Sequence, residues 1–138
     1  MTPEPATTAG GLLLVPMILT PIAGMILSFA LGGRWAGRVA LAMSPVWLAI
    51  ALAVASLVWR SGAPLVYVVG GIAPPLGIAL EADGISAAML VATALILPVA
   101  CLFARDDFAG PIHGESRGSL VFWIMLQAIG AALSLLFL

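Results

Sequence analysis

Ser61-Gly62-Ala63-Pro64-Leu65-Val66-Tyr67-Val68-Val69-Gly70-Gly71-Ile72-Ala73-Pro74-Pro75-Leu76-Gly77-Ile78-Ala79-Leu80 decides how many times this chain crosses a membrane. The stretch is uncharged, and it is as long as a spanning helix, which needs roughly 20 apolar residues for about 30 Å of hydrocarbon. Its composition argues against a helix. Gly62, Pro64, Gly70, Gly71, Pro74, Pro75 and Gly77 interrupt it more often than a lipid-exposed helix can absorb. The runs left between them, residues 65–69 and 76–80, are short, apolar and partly β-branched or aromatic. Set between glycines and prolines, they read as a β-hairpin or an extended loop at the membrane surface, packed on other protein. In lipid, its open edges would leave backbone groups unpaired at a cost of several kcal/mol each.

Outward from this stretch, charges cut the chain into four apolar blocks. Between Glu4 and Arg34 lie 29 uncharged residues, between Arg38 and Arg60 lie 21, between Asp83 and Arg105 lie 21, and 21 more follow Arg117. Each block is long enough to cross once. The expectation is an all-α integral membrane protein with four transmembrane helices and a hairpin or loop between the second and third. A tail, 1–11, leads into two helices within 12–59, spanning 12–32 and 39–59 and joined by an Arg-bearing link at 33–38. The hairpin occupies 60–83, the third helix 84–104, a polar link 105–118 and the fourth helix 119–138. No basic residue precedes the first block and the block exceeds a signal h-region, so it reads as a retained span. Arg34, Arg38, Arg105 and Arg117 fall in the first and third links, and Arg60 alone falls with the hairpin. Basic residues concentrate on the cytoplasmic side. The N-terminus and hairpin are therefore expected outside, and the links at 33–38 and 105–118 inside, a bacterial plasma membrane being the expected location.

The chain is 63% hydrophobic and 8% charged, where a soluble domain carries about a quarter charged residues. Its five basic residues are all Arg, too few for the basic face a nucleic-acid partner requires. Cys101 has no second cysteine to pair with, which excludes a disulfide-stapled secreted domain. His113, the single histidine, has no acidic or thiol neighbours at ligand spacing, and Asp106-Asp107 reads as a solvated pair. Phosphate loops, CxxC pairs and nucleophile elbows are missing from the sequence. The expectation is a chain with no catalysis, cofactor or metal of its own, whose partners are the lipid bilayer and other membrane subunits.

Inside the four blocks the polar residues are Thr20, Ser28, Ser56, Thr93, Gln127 and Ser134. Hydroxyls can bond back to a carbonyl one turn earlier, and that reading is favoured for most of them. Gln127 cannot satisfy its amide that way, so it is expected to face another helix or a polar cavity. Ser44-Pro45 reads as an N-cap with proline in the first turn. Pro16, Pro21 and Pro98 are expected to free carbonyls within their helices, kinking them for packing more readily than as a hinge. Small residues four apart recur as Ala49/Ala53, Ala51/Ala55, Ala88/Ala92, Ala128/Ala132 and Gly130/Ser134. Such pairs let backbones approach, and Gln127, Gly130, Ser134, Ala88 and Ala92 are the candidate packing residues. In the hairpin, Gly70-Gly71 permits positive φ and Pro74-Pro75 stiffens the return, while Asp83 or Ser86 can cap the third helix.

Residues 67–89, from Tyr67 through Gly70-Gly71, Pro74-Pro75-Leu76-Gly77-Ile78 and Asp83 to Ser86 and Met89, resemble a known segment. The segment is the hairpin and third-helix start of antiporter-like proton-translocating membrane subunits. These occur in Mrp-type multisubunit Na+/H+ antiporters, in the membrane arm of respiratory complex I and in energy-converting hydrogenases. Their pattern is a Tyr, Gly-Gly, often an aromatic, Pro-Pro-x-Gly-Ile, then Asp before a small or Ser residue. Ile72 stands where Trp is common. The resemblance covers about residues 12–104, with 119–138 fitting as a fourth helix. It implies that Tyr67, Gly70, Gly71, Pro74, Pro75, Gly77 and Asp83 build an outer-face hairpin that touches a neighbouring subunit. Family members carry their proton path on later helices, with a Glu on the fifth and Lys residues beyond. This sequence has no Lys and stops at Leu138. Its expected role is thus a non-catalytic or split part of an ion-translocating assembly, the other reading being an accessory brace in a larger redox or energy-transducing complex.

Overall fold

A computed structural model describes residues 7–71, 77–108 and 117–138, with side chains at 33, 34, 107 and 108 left aside. Four helices form: α1 (Leu14–Leu31), α2 (Gly33–Ser61), α3 (Gly84–Phe108) and α4 (Arg117–Phe137). All four are long and apolar enough to cross a membrane. At 1.5 Å per residue α1 and α4 are about 27 and 31 Å long, close to the hydrocarbon thickness, whereas α2 and α3 overreach it. The excess of α2 carries Trp35 and Arg38 at one end and Trp59 and Arg60 at the other, residue types suited to the two interfaces. Arg38 stacks on Trp35, 4.6 Å from the ring centroid, a cation–π contact that holds the guanidinium against its own helix.

The buried residues show why these helices bundle. Leu14, Met17, Pro21, Gly24 and Ser28 recur at steps of three and four along α1. Ala36, Ala40, Trp47, Ala51, Val54 and Val58 do the same on α2, and Ala87, Leu90, Ala94 and Cys101 on α3. That spacing keeps one seam of each helix facing its neighbours. Most of these residues are small, so backbones approach closely and van der Waals fit replaces a water-driven core. Two apolar clusters result. Leu14, Met17, Trp47, Val54, Leu65, Leu80 and Leu90 pack toward the hairpin end. Ala36, Ala40, Cys101 and Trp123 pack toward the opposite end.

Between α2 and α3 the chain forms a two-stranded antiparallel sheet, β1 (Leu65–Val68) and β2 (Ala79–Ala82), with Leu65 opposite Ala82 and Val68 opposite Ala79. Leu80 and Ala82 are buried and Glu81 is exposed, so the strand alternates as the pleat requires. Each outer edge has a hydrogen-bond partner elsewhere in the chain. Val66 exchanges hydrogen bonds with Thr8: the Thr8 N–H donates to the Val66 carbonyl at 2.9 Å, and the Val66 N–H donates to Thr8 Oγ1 at 2.9 Å. On the other edge the Glu81 N–H donates to the Leu138 carbonyl at 2.8 Å. The start of α1, the hairpin and the end of α4 therefore meet at one end of the bundle.

Several expectations need correction. The second helix starts at Gly33, not near 39, so the link is Gly32 alone and Arg34 and Arg38 lie in the opening turns of α2. Gly32 breaks the helix with φ 81, a conformation that suits glycine, whereas arginine is a good helix former. Ser44-Pro45 is not an N-cap, because it lies inside α2. Pro16 is the third residue of α1, where an N–H has little to bond, and Pro21, Pro45 and Pro98 are the prolines inside helices. The returning strand is 79–82 and not 76–80, a register that turns Glu81 outward. Pro74, Pro75 and His113 lie outside the described residues.

Candidate functional site: the midplane of the helix bundle

Each helix places one or more polar atoms near its middle, and elementary hydrogen-bond accounting explains how. Proline has no N–H, so Pro21 leaves the Met17 carbonyl without its partner four residues on. The indole N–H of Trp47 donates to that carbonyl across the α1–α2 seam at 3.0 Å. Pro45 likewise frees the Leu41 carbonyl, and the Ser44 hydroxyl donates to it at 3.0 Å. Pro21 and Pro45 are tolerated because a nearby side chain supplies the missing donor.

Gln127 projects from α4 onto α1. Its Nε2 donates to Ser28 Oγ at 2.8 Å, a buried pair linking residues 99 apart in sequence. Gly24, one turn before Ser28, is what allows this approach. A Cβ at Gly24 would fall on the Gln127 amide oxygen, and it would come within 3.2 Å of Met43 Cγ. Gly24 and Ser28 thus form a small-residue pair that seats a side chain instead of a second backbone. Gln127 is 8% exposed, and its Oε1 is buried with no hydrogen-bond partner. In hydrocarbon an interhelical side-chain bond contributes about 0.6–2 kcal/mol, and an unsatisfied acceptor opposes it with about 1–3 kcal/mol.

Beside Gln127 a small cleft of about 30 Å³ lies between the two apolar clusters. Thr20 of α1, Ser44 and Trp47 of α2, Cys101 of α3, and Gln127 and Gly130 of α4 are among its walls, so all four helices meet there. A Cβ at Gly130 would contact Leu97 Cδ1 at 3.1 Å and Trp47 Cη2 at 3.3 Å, so glycine keeps this side of the cleft open. No carboxylate, imidazole or basic side chain lines it among the described residues.

The other candidates separate into two groups. Gly130 and Ser134 are buried on α4, with the Ser134 hydroxyl donating to the Gly130 carbonyl at 2.9 Å. Thr20, Ser56 and Thr93 bond back in the same way, to Pro16, Ala53 and Met89. Ser28 departs from that pattern by accepting from Gln127. Ala88 and Ala92 are exposed on α3 and face away from the bundle. In the hairpin, Gly70 and Gly71 have φ of 71 and 69, and Tyr67 and Gly77 are half-buried. Asp83 is the cap: its Oδ1 accepts from the Ser86 N–H at 2.7 Å. That bond holds its carboxyl below the usual carboxylate range.

The Trp47–Met17 bond, the Gly24 seat and the Thr8 edge contacts were not signalled by local sequence. A proline facing a tryptophan on the next helix is the one clue that precedes them. The chain matches no family model, no curated protein and no solved structure.

Proposed function

We propose that this chain is a non-catalytic membrane part of a multisubunit cation/proton antiporter or proton-translocating complex. In this reading it works beside other membrane subunits in a bacterial plasma membrane, with its hairpin end outside. The observation that carries the non-catalytic role is the chemistry of the midplane. Passing a proton or cation through hydrocarbon calls for titratable or anionic groups along the way. Where the four helices meet, the described walls offer a neutral amide, hydroxyls and a thiol. The likeness of residues 67–89 to antiporter-like subunits supports the kind of assembly. Four Arg toward one end of the bundle, against Arg60 at the hairpin end, support the orientation.

The test is purification of the tagged chain from native membranes in mild detergent, with mass spectrometry of what accompanies it. The expected companions are antiporter-type membrane subunits bearing Glu and Lys within their spans. Recovery with an unrelated redox complex and no such subunit would replace this reading with that of a structural brace.

A further inference from the structure

The end of α2 opposite the hairpin is set in rotation by a tryptophan of α4. Trp123 packs on Gly37, where a Cβ would come within 3.0 Å of the indole, and Ala36 and Ala40 are buried in the same cluster. That packing turns Trp35 and Arg38 away from the bundle, and both are exposed. Arg38 rests on Trp35, its guanidinium carbon 4.6 Å from the ring centroid, and no carboxylate of the described residues pairs with it. A guanidinium steadied on an aromatic ring keeps N–H groups free for a second partner, and their planar fork fits two oxygens of a phosphate. Depth selects the source of that phosphate. Arg38 and Arg60 stand about 33 Å apart along α2 at 1.5 Å per residue, so they bracket a hydrocarbon core of about 30 Å. Arg38 thus lies level with lipid headgroups when α2 spans the membrane. Toward the membrane centre, Ala42, Pro45, Val46, Ala49 and Leu52 continue the exposed side of α2 in steps of three and four. They offer an apolar surface directly below the charge. A cation without a counter-charge favours a headgroup of net negative charge over one that carries its own cation.

We propose that Trp35 and Arg38 hold the phosphate of an anionic phospholipid, whose acyl chain lies along Ala42, Val46 and Ala49. The lipid completes the ion pair that Arg38 lacks within the described chain, and so stabilises the folded bundle.

The test titrates the purified full chain in detergent with phosphatidylglycerol, with phosphatidylcholine of the same acyl chains, and with glycerol 3-phosphate, while apparent Tm is followed. Phosphatidylglycerol is expected to raise Tm at a lower concentration than phosphatidylcholine, and glycerol 3-phosphate to leave it unchanged. Arg38→Gln should raise half-saturation by phosphatidylglycerol about tenfold, the change that loss of one charge-assisted hydrogen bond produces. Trp35→Leu should raise it less, because it removes the ring that steadies the guanidinium and keeps the charge. Arg60 makes no ring contact among the described residues, and Arg60→Gln should leave half-saturation where it is. Comparing chains in one detergent cancels partitioning of the lipids into the micelle. If Arg38→Gln does not fold, the wild-type lipid ranking and Trp35→Leu decide. Equal responses to the two lipids, or a phosphatidylglycerol response that Arg38→Gln and Arg60→Gln alter equally, would overturn the proposal. So would a response to glycerol 3-phosphate matching that to phosphatidylglycerol, since the acyl chain would then contribute nothing.

Discussion

The hairpin end and the midplane of this protein face the same difficulty, polar backbone and side-chain groups in apolar surroundings, and resolve it differently. At the hairpin the Val66 N–H and carbonyl are both matched by Thr8 on one edge, and the Glu81 N–H by the Leu138 carbonyl on the other. Those bonds tie the hairpin to Thr8 and Leu138 and hold its shape. At the midplane the matching is incomplete. Trp47 and Ser44 supply the donors that two prolines withhold, yet Gln127 keeps a buried oxygen without a partner.

Substitutions can break this contrast, and the midplane is expected to be the more sensitive region. Gly24→Leu has the largest expected effect, because its side chain must occupy the seat of the Gln127 amide. Overpacking costs about 1–3 kcal/mol and loss of the amide bond adds to it. Apparent Tm in detergent should drop steeply, and Gln127→Ala in the same chain should restore part of the loss. Trp47→Phe comes next. It keeps an aromatic ring but strips the donor from the Met17 carbonyl, for about 1–3 kcal/mol. An unchanged Tm would remove the argument that tryptophan compensates for Pro21.

At the hairpin the expected effects are smaller and local. Gly71→Val forces a β-branched residue to φ near 69, a strain of about 1–3 kcal/mol, with open space around the side chain. Faster protease cleavage in the hairpin with little change in global Tm is the expected pattern. A large global loss would mean that the hairpin is integral to the bundle. The smallest effect concerns Asp83. Its carboxyl is held below its ordinary range by the Ser86 N–H, so it favours the folded chain above the unfolded pKa. That contribution fades as pH falls through the lowered folded value. Asp83→Asn retains a capping side chain without the charge. The stability advantage of wild type over this variant should therefore shrink as pH falls through and below the ordinary carboxylate range. A pH-independent difference would show that the carboxylate is not the source.

The same contrast separates what could be read from the sequence from what could not. The hairpin end is written in local signals: Gly70 and Gly71 where φ is positive, Asp83 three residues before the N–H it caps, and a density of breakers that rules out a fifth helix. The four spans were legible for the same reason, since charges bound each apolar block. The midplane rests on pairs distant in sequence, Gln127 with Ser28 and Trp47 with Met17, 99 and 30 residues apart. That Gln127 would need a partner followed from its amide. Which partner depended on Gly24, a residue that stands out only once α1 and α4 are side by side. Ser44-Pro45 misled because its local chemistry suits a helix start. The helix runs through it, and the serine hydroxyl serves the carbonyl that the proline releases.

The proposed non-catalytic role requires that this bundle, neutral at its described midplane, conduct no ions by itself. The most direct test is proton and sodium flux into liposomes holding the purified full chain, under an imposed pH gradient and membrane potential. Rates equal to those of protein-free liposomes, for wild type and for Gln127→Met alike, are the predicted result. A flux well above that background in wild type, abolished by Gln127→Met, would contradict the claim and make the midplane a conducting path.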